Sequence, residues 1–350
     1  METLPAVSVL SDASAGDLPT TMPPAHLIEG LADLIGSDTR RDSTKESYAS
    51  DVRAFESFAT ASGHSYADNR PVHPLWVAAW VVRMREKAMA LATIERRVRG
   101  LGADHRSRGL ADPTSHPVVT EALKKLRKTD DRPQKQAHAL RAGDIRTMTQ
   151  FLGDRGLAGK RNKAMVLVGF SCALRVSEFA NLRYEDVAIS EDRIALTIRK
   201  AKTANAESDA QHVAAASSPN EEMCPVLSLR DWVTCSGINE GPIFRGITRH
   251  QIIRESAIST RAVGDIVKRL AKEAGIIGWA DVSSHSLRRG WASEAAMRGV
   301  PSFVIKQHGR WKTDASAARY VDAVGSEAAL AATRAVMTNQ SFADAMAISE

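Results

Sequence analysis

Cysteine is nearly absent: Cys172, Cys224 and Cys235 are the only three in 350 residues. An odd number without metal-type spacing gives no disulfide framework and no zinc knuckle, so free thiols in a reducing compartment are expected. Cys224 and Cys235 could still pair in space. Aromatics are also scarce, at 5% with four tyrosines. No uncharged apolar run approaches the roughly 20 residues that span a bilayer. The opening stretch, METLPAVSVLSDASAGD, lacks a basic segment and carries Glu2 and Asp12, so it does not read as a secretory signal. A cytoplasmic protein is the expectation. There is no Gly-rich phosphate loop, no HExxH, no CxxC and no DxD cluster. ATP-driven and metal-hydrolytic chemistry therefore have no visible carrier, and neither cofactor nor metal is expected.

Positive charge is present in a block. The chain carries 47 Lys and Arg against 41 Asp and Glu, a formal net charge of +6. Between Val81 and Lys128 there are twelve Lys/Arg and five Asp/Glu, so this segment's surplus exceeds that of the whole chain. A solvated face would account for that alone. An anionic partner, nucleic acid foremost, accounts for it equally well.

The periodicity divides the chain. Residues 1–23 are rich in Ser, Ala, Pro and Thr and read as a disordered tail. Residues 24–128 read as a helical domain. AHLIEGLADLIG has helical spacing, and DSTKESYASDVRAFESFATASG carries the stripe Tyr48, Val52, Phe55, Phe58 and stops at Gly63. PLWVAAWVVRMREKA is the next helix. TIERRVRGLGADHRSRG follows, with Thr93 as its expected cap and Ile94, Val98 and Leu101 as its apolar stripe. Arg96, Arg99 and Arg106 fall opposite that stripe and Arg97 at its edge. VVTEALKKLRK closes the domain. TDDRPQKQAHA, within residues 129–140, is polar and aperiodic and reads as a linker. Residues 141–350 form a second domain: three helices, then the strand-like DRIALTIRKAKT and QHVAAA around a polar turn, then helices to the end.

That second domain holds a constellation of charged and aromatic residues. Arg175 and Glu178 lie one helical turn apart in ALRVSE. Lys202 lies on the turn between the two strands. His285 and Arg288 are spaced i,i+3 in HSLRRG. Trp311 and Tyr320 stand nine apart in HGRWKTDASAARY. Singly, each has an ordinary explanation: a helix ion pair, a solvated turn lysine, a capped histidine, a core tryptophan, a half-buried tyrosine. The HxxR spacing also occurs at His105/Arg108 and His138/Arg141. As an ordered set they suit transfer of a phosphodiester. Two guanidiniums offer bidentate, permanently charged donors to non-bridging oxygens. A phenol becomes a nucleophile once a neighbouring base takes its proton. A lysine can protonate the leaving alkoxide.

The ordered motifs ALRVSE, AKT, STRAV, HSLRRG and GRWKTDASAARYV, with LATIERRVRGLGADHRSRGL upstream, resemble the tyrosine recombinase (phage integrase) family, in its Cre-like form. The resemblance implies a mainly α fold with a small antiparallel β-sheet in the catalytic domain, arranged as a two-domain C-shaped DNA clamp. It implies Tyr320 as nucleophile, Arg175 and Arg288 as phosphate clamps, Lys202 as general acid, His285 and Trp311 completing the pocket, and Glu178 supporting it. His308, three residues before Trp311, leaves the identity of that position open. Arg96, Arg97, Arg99 and Arg106 become DNA contacts, and Arg261, near the start of a helix after a Ser/Thr cap, a base reader. The implied partners are a double-stranded DNA site with inverted repeats and three further copies of the chain, joined through the segment after Tyr320. Two other readings are a type IB topoisomerase-like strand transferase and a non-catalytic DNA-binding accessory protein.

Overall fold

The computed structural model describes residues 42–66, 70–132, 136–150, 152, 155–199, 210–321, 333 and 337; the side chains of residues 42, 43 and 319–321 lie outside that description. AHLIEGLADLIG, the tail before it and Lys202 fall outside the described residues. The chain divides into two compact units between residues 134 and 135.

The first unit is built from α1 (Asp42–Ala61), α2 (Pro74–Glu86), α3 (Leu91–Ser107) and α4 (Pro117–Thr129). The apolar stripes meet in one core: Phe55, Val77, Trp80, Ile94, Val98, Leu101 and Val119 are all 2% exposed or less. Phe55 stands edge-on to both Trp80 and Tyr66, at 5.1 and 5.4 Å between ring centres. The Tyr66 hydroxyl donates to Asp104 at 2.7 Å, which satisfies the phenol that this aromatic cluster buries. Two helices start at His-Pro. Pro74 and Pro117 supply the fixed φ of a first turn, while His73 and His116 accept from the backbone N–H groups of Leu75 and Val118. Helix α3 departs from the expected cap. It begins at Leu91 behind Ala90, and Thr93 already donates its backbone N–H to the Ala90 carbonyl, so Thr93 lies inside the first turn.

The second unit places α5 (Ala142–Gln150), α6 (Gly156–Ser171), α7 (Val176–Asn181), α8 (Pro225–Ser236), α9 (Thr260–Glu273), α10 (His285–Met297), α11 (Ser302–His308) and α12 (Asp314–Val321) around two small sheets. Strands β1 (Val187–Ile189), β2 (Arg193–Ile198) and β3 (Gln211–Ala216) form an antiparallel sheet in that order, with Leu196 opposite Val213 and Ile194 opposite Ala215. Ile194, Leu196 and Ile198 alternate onto the buried face. A second antiparallel pair, β4 (Arg245–Ile247) and β5 (Ile253–Ala257), stands where only helices were expected. Its strands are short and none of their residues is fully buried, so they leave no alternating pattern to read.

Helix α6 is the centre of this unit. Residues 164–169 are all buried, with α8 and α10 packed against it. A Cβ at Gly169 would overlap the Phe179 ring, and one at Gly290 would overlap the Leu140 carbonyl. The two glycines thereby let α7 approach α6, and the 137–140 segment approach α10. Leu140 donates to the Ser286 carbonyl at 3.2 Å, and Arg289 donates to the Ala137 carbonyl at 2.8 Å. The start of α10, which carries His285 and Arg288, is thus held twice by the 137–140 segment. All three cysteines are free, so Cys224 and Cys235 do not pair. No described helix is long and apolar enough to cross a membrane.

Candidate active site

The site grows from the turn between α6 and α7. Cys172 closes α6, Ala173 takes a left-handed backbone conformation (φ 46°), and Arg175 occupies the cap of α7 in extended geometry. Glu178, three residues on, accepts the Arg175 backbone N–H at 2.8 Å through Oε2 and its Nη1 at 2.7 Å through Oε1. This is the acidic half of a capping box, and it also orients the guanidinium of the cap residue. The Arg175 side chain is 38% exposed and Glu178's only 8%, so the pair presents its cationic end outward.

The second arginine comes from α10. Arg288 is 1% exposed and donates through Nη1 to the Ala173 carbonyl at 2.6 Å and through Nη2 to the Gly309 carbonyl. Arg175 donates through Nη2 to the carbonyl of the next residue, Arg310, at 2.5 Å. Two guanidiniums that are 113 positions apart in sequence therefore rest on consecutive carbonyls of one short segment between α11 and α12. The Trp311 ring lies against the Arg288 guanidinium, 4.2 Å from ring centre to carbon. A cation against an aromatic face gains about 0.5–2 kcal/mol, more as water is excluded.

His285 opens α10 and its backbone N–H donates to Ser283 Oγ at 3.2 Å. The residue keeps solvent access. Packing on its inner side and the neighbouring charges of Arg288, Arg175 and Arg289 together push its pKa below the ordinary 6.5. A neutral imidazole at neutral pH is the form that accepts a proton. Glu178 shows the opposite balance. Burial alone would favour its protonated form, but Arg310 and Arg175 overcome that and hold the carboxyl below the ordinary 4.5, ionised.

Arg310 was not singled out from sequence. It is 6% exposed, has φ 55°, and donates to Glu178 Oε2 at 2.8 Å and to the carbonyls of His308, Ala173 and Cys172 at 2.8, 3.1 and 3.2 Å. Its partners lie up to 138 positions away, so no local pattern signals it. With Arg175, Arg288 and Arg310 against Glu178, these four side chains hold two positive charges in surplus.

His308 does not share the place of Trp311. Its Nε2 meets the Ser171 carbonyl at 2.8 Å and its ring stacks on Trp291 at 4.0 Å. Tyr320 lies in the last turn of α12, which packs against α10 and α11; its side chain is outside the described residues, as is Lys202. Among the described residues no group of three or more His, Cys, Asp or Glu is placed to hold a metal ion. Arg261 is the second residue of α9, after a Ser259 side chain that accepts the Ala262 N–H at 3.1 Å. Its side chain is 92% exposed, with Asp265 at 3.7 Å.

In the first unit the arginines of α3 divide. Arg96 pairs with buried Asp51 at 2.6 Å, and Arg97 leans on the same carboxylate at 4.0 Å and on Met89. Arg106 pairs with Asp112. Arg99 is exposed, with its Nε donating to the Glu95 carbonyl at 3.2 Å.

Comparison with known proteins matches residues 138–326 to the model of the phage integrase family. The chain belongs to that family. It is similar to an integrase/recombinase XerD homolog of Selenomonas ruminantium, 26% identical over 287 residues, which are 81% of this chain and 82% of the relative. It is also similar to the Cre recombinase of Escherichia phage P1, 25% identical over 275 residues, 73% of this chain and 78% of the relative. Among solved structures, XerH recombinase bound to palindromic difH substrate overlays with a TM-score of 0.55 at 12% identity, covering 83% of this chain and 78% of that one. A lambda integrase dimer bound to a COC′ core site gives 0.54 at 15% identity, covering 87% and 97%. At these identities the overlays establish the fold: mainly helical, with small antiparallel sheets.

Proposed function

We propose that this tyrosine recombinase cleaves and rejoins double-stranded DNA at specific sites through Tyr320. The observation that carries the reading is the seating of Arg175 and Arg288 on the adjacent carbonyls of Arg310 and Gly309. Two preorganised guanidiniums side by side suit the two non-bridging oxygens of one phosphate.

In the first step the Tyr320 oxygen attacks the scissile phosphorus as its proton passes toward His285. The bond to the 5′-oxygen breaks, and Lys202 protonates that oxygen as it leaves. The product is a 3′-phosphotyrosyl ester and a free 5′-hydroxyl. A 5′-hydroxyl from a second site then attacks the ester, and the phenol is restored. The ester conserves the energy of the original phosphodiester, so rejoining needs no nucleotide triphosphate. Arg175 and Arg288 hold the developing charge, Glu178 orients Arg175, and Trp311 covers Arg288. The type IB topoisomerase-like and accessory-protein readings are not favoured by membership of the phage integrase family.

The basic surface of the first unit suits the DNA backbone, with exposed Arg99 and Arg106 as phosphate contacts and Arg96 and Arg97 more constrained by Asp51. Arg261, exposed at a helix start, suits a base edge in the major groove. Exchange between two sites calls for four chains on a pair of inverted-repeat sites, joined head to tail through the segment after Tyr320. Light scattering on a two-site duplex checks that assembly, and a mass short of four chains refutes it.

The chemistry is tested on a nicked duplex that traps the cleaved strand. The wild-type protein should form a covalent adduct that survives denaturation, and Tyr320→Phe should bind the duplex and form none. An adduct with the Phe variant would identify a different nucleophile.

A further inference from the structure

Arg310 is costly where it stands. A guanidinium 6% exposed is among the least favourable groups to bury, and its Nε has no partner. Its left-handed backbone, φ 55°, is one that side-chain-bearing residues rarely adopt. Neither feature is needed to close the chain between α11 and α12. Glycine would take the backbone conformation freely, and an apolar side chain would fill the space without a desolvated charge. What the guanidinium supplies is a set of bonds that nothing else there can make.

Three of those bonds hold neighbouring backbone carbonyls, and the fourth reaches a side chain, Glu178 of the Arg175–Glu178 pair. Arg310 reaches that pair twice. Its side chain fixes Glu178 Oε2 at 2.8 Å, and its own carbonyl accepts Arg175 Nη2 at 2.5 Å. Glu178 holds Arg175 from the same turn of α7, so without Arg310 the pair could swing together. With Arg310 the carboxylate is tied to the segment that bears Trp311, and through the Ala173 carbonyl to Arg288 as well, since both guanidiniums donate there, at 3.1 and 2.6 Å. The brace links α7, α10 and the approach to the Tyr320 helix.

We propose that Arg310 is a positioning residue for DNA cleavage, which fixes the Arg175 guanidinium in its phosphate-binding orientation by anchoring Glu178. Its side-chain bonds run to Glu178 and three carbonyls, and it acts on the phosphate through Arg175. The other titratable and charged groups facing Glu178 are Arg175 and the buried Cys172 thiol, whose pKa burial pushes up to about 12 and which therefore stays neutral. The inference rests on the reading of Arg175 as a phosphate clamp.

The test separates the two claims. Arg310→Gly suits the left-handed backbone and keeps the carbonyl that accepts Arg175, so it removes the guanidinium alone. On the nicked duplex it should leave DNA affinity unchanged and slow adduct formation roughly 10²-fold, the size of effect expected when a reacting group is misplaced by about 1 Å. Free guanidinium ion should restore part of the rate. Glu178→Ala with Arg310→Gly should be no slower than Glu178→Ala alone, because the second change then has no side chain left to act through. A wild-type rate in Arg310→Gly overturns the inference, and so do losses that multiply in the double variant. If the glycine variant does not fold, Arg310→Lys, which keeps a charge within reach of Glu178, carries the same double-variant comparison. Failure of the wild-type protein to form any adduct would instead overturn the proposed function and leave Arg310 a structural brace.

Discussion

Replacing Gly309 with alanine should disable cleavage while sparing DNA binding. Gly309 has an ordinary helical backbone (φ −75°), so alanine meets no conformational penalty there. The obstacle is space: a Cβ would overlap Cζ3, Cε3 and Cη2 of Trp311. Carbon atoms settle at ~3.5–4.0 Å, so the indole must retreat by more than about 1 Å. It cannot do so alone, because its face lies 4.2 Å from the Arg288 guanidinium. Arg288 in turn bonds to the Gly309 carbonyl itself. Overpacking of this kind costs about 1–3 kcal/mol. In a unit of this size, each kcal/mol lowers Tm by about 2–4 °C. Displacing a preorganised charge from the phosphate should cost cleavage a further ~10²–10³-fold. The assay is the single-turnover rate of adduct formation below the melting range, beside a gel-shift titration. A variant that melts lower but cleaves at the wild-type rate would refute the link from Gly309 through Trp311 to Arg288.

Two further outcomes follow from the same geometry. His285 is held below its ordinary 6.5 by packing and by Arg288, Arg175 and Arg289, so the acid limb of the cleavage rate should lie below pH 6.5 and vanish in His285→Asn. The sign follows from linkage: the unfolded chain takes up this proton first, so the neutral ring's contribution to stability is complete above 6.5 and declines as pH falls toward the lower folded value. A limb above 6.5 would mean that another group limits the rate. Arg261→Ala should relax preference at one base pair by about 1–3 kcal/mol. Equal weakening on all sequences, measured by competition binding, would make Arg261 a phosphate contact.

Where the sequence was informative, the signal was a strong period. Ile94, Val98 and Leu101 repeat along α3, and all three are buried. Ile194, Leu196 and Ile198 alternate along β2, and all three face the core. The ordered set Arg175, Glu178, His285, Arg288, Trp311 suggested one site, and the fold brings Arg175, Glu178, Arg288 and Trp311 together around the turn at Ala173. Other features left no such trace. The β4–β5 pair has no alternation because it has no fully buried face. Thr93 suggested a cap, but the helix gained its first turn behind Ala90, whose methyl side chain makes no cap bond. His73 and His116 do cap helices, and only the proline after each gave a hint. Arg310 was silent for a deeper reason. Its left-handed backbone is not written in an arginine codon, and its carboxylate partner lies 132 positions away.

Of the three described non-glycine residues with positive φ in the second unit, Ala173, Gln251 and Arg310, two lie at the site. Ala173 and Arg310 face each other across it, and the side chain of one donates to the carbonyl of the other. Such conformations cost about 1–3 kcal/mol each and persist only where surrounding bonds fix them. Here the left-handed turn at Ala173 aims its carbonyl at two guanidiniums, and the turn at Arg310 aims its carbonyl at a third. The arginines are therefore spaced by backbone oxygens before any phosphate arrives. This spacing differs from one set by mutual repulsion, in which like charges would splay apart and DNA would have to draw them together during the reaction. A site whose charges are already placed needs little reorganisation as the phosphorane forms, and in electrostatic catalysis that is the dominant saving. On the proposed function the same logic gives Glu178 a reason to be enclosed: an exposed carboxylate would compete with the phosphate for Arg175, whereas a buried one, held from behind by Arg310, would orient the guanidinium and leave its outward edge to the DNA.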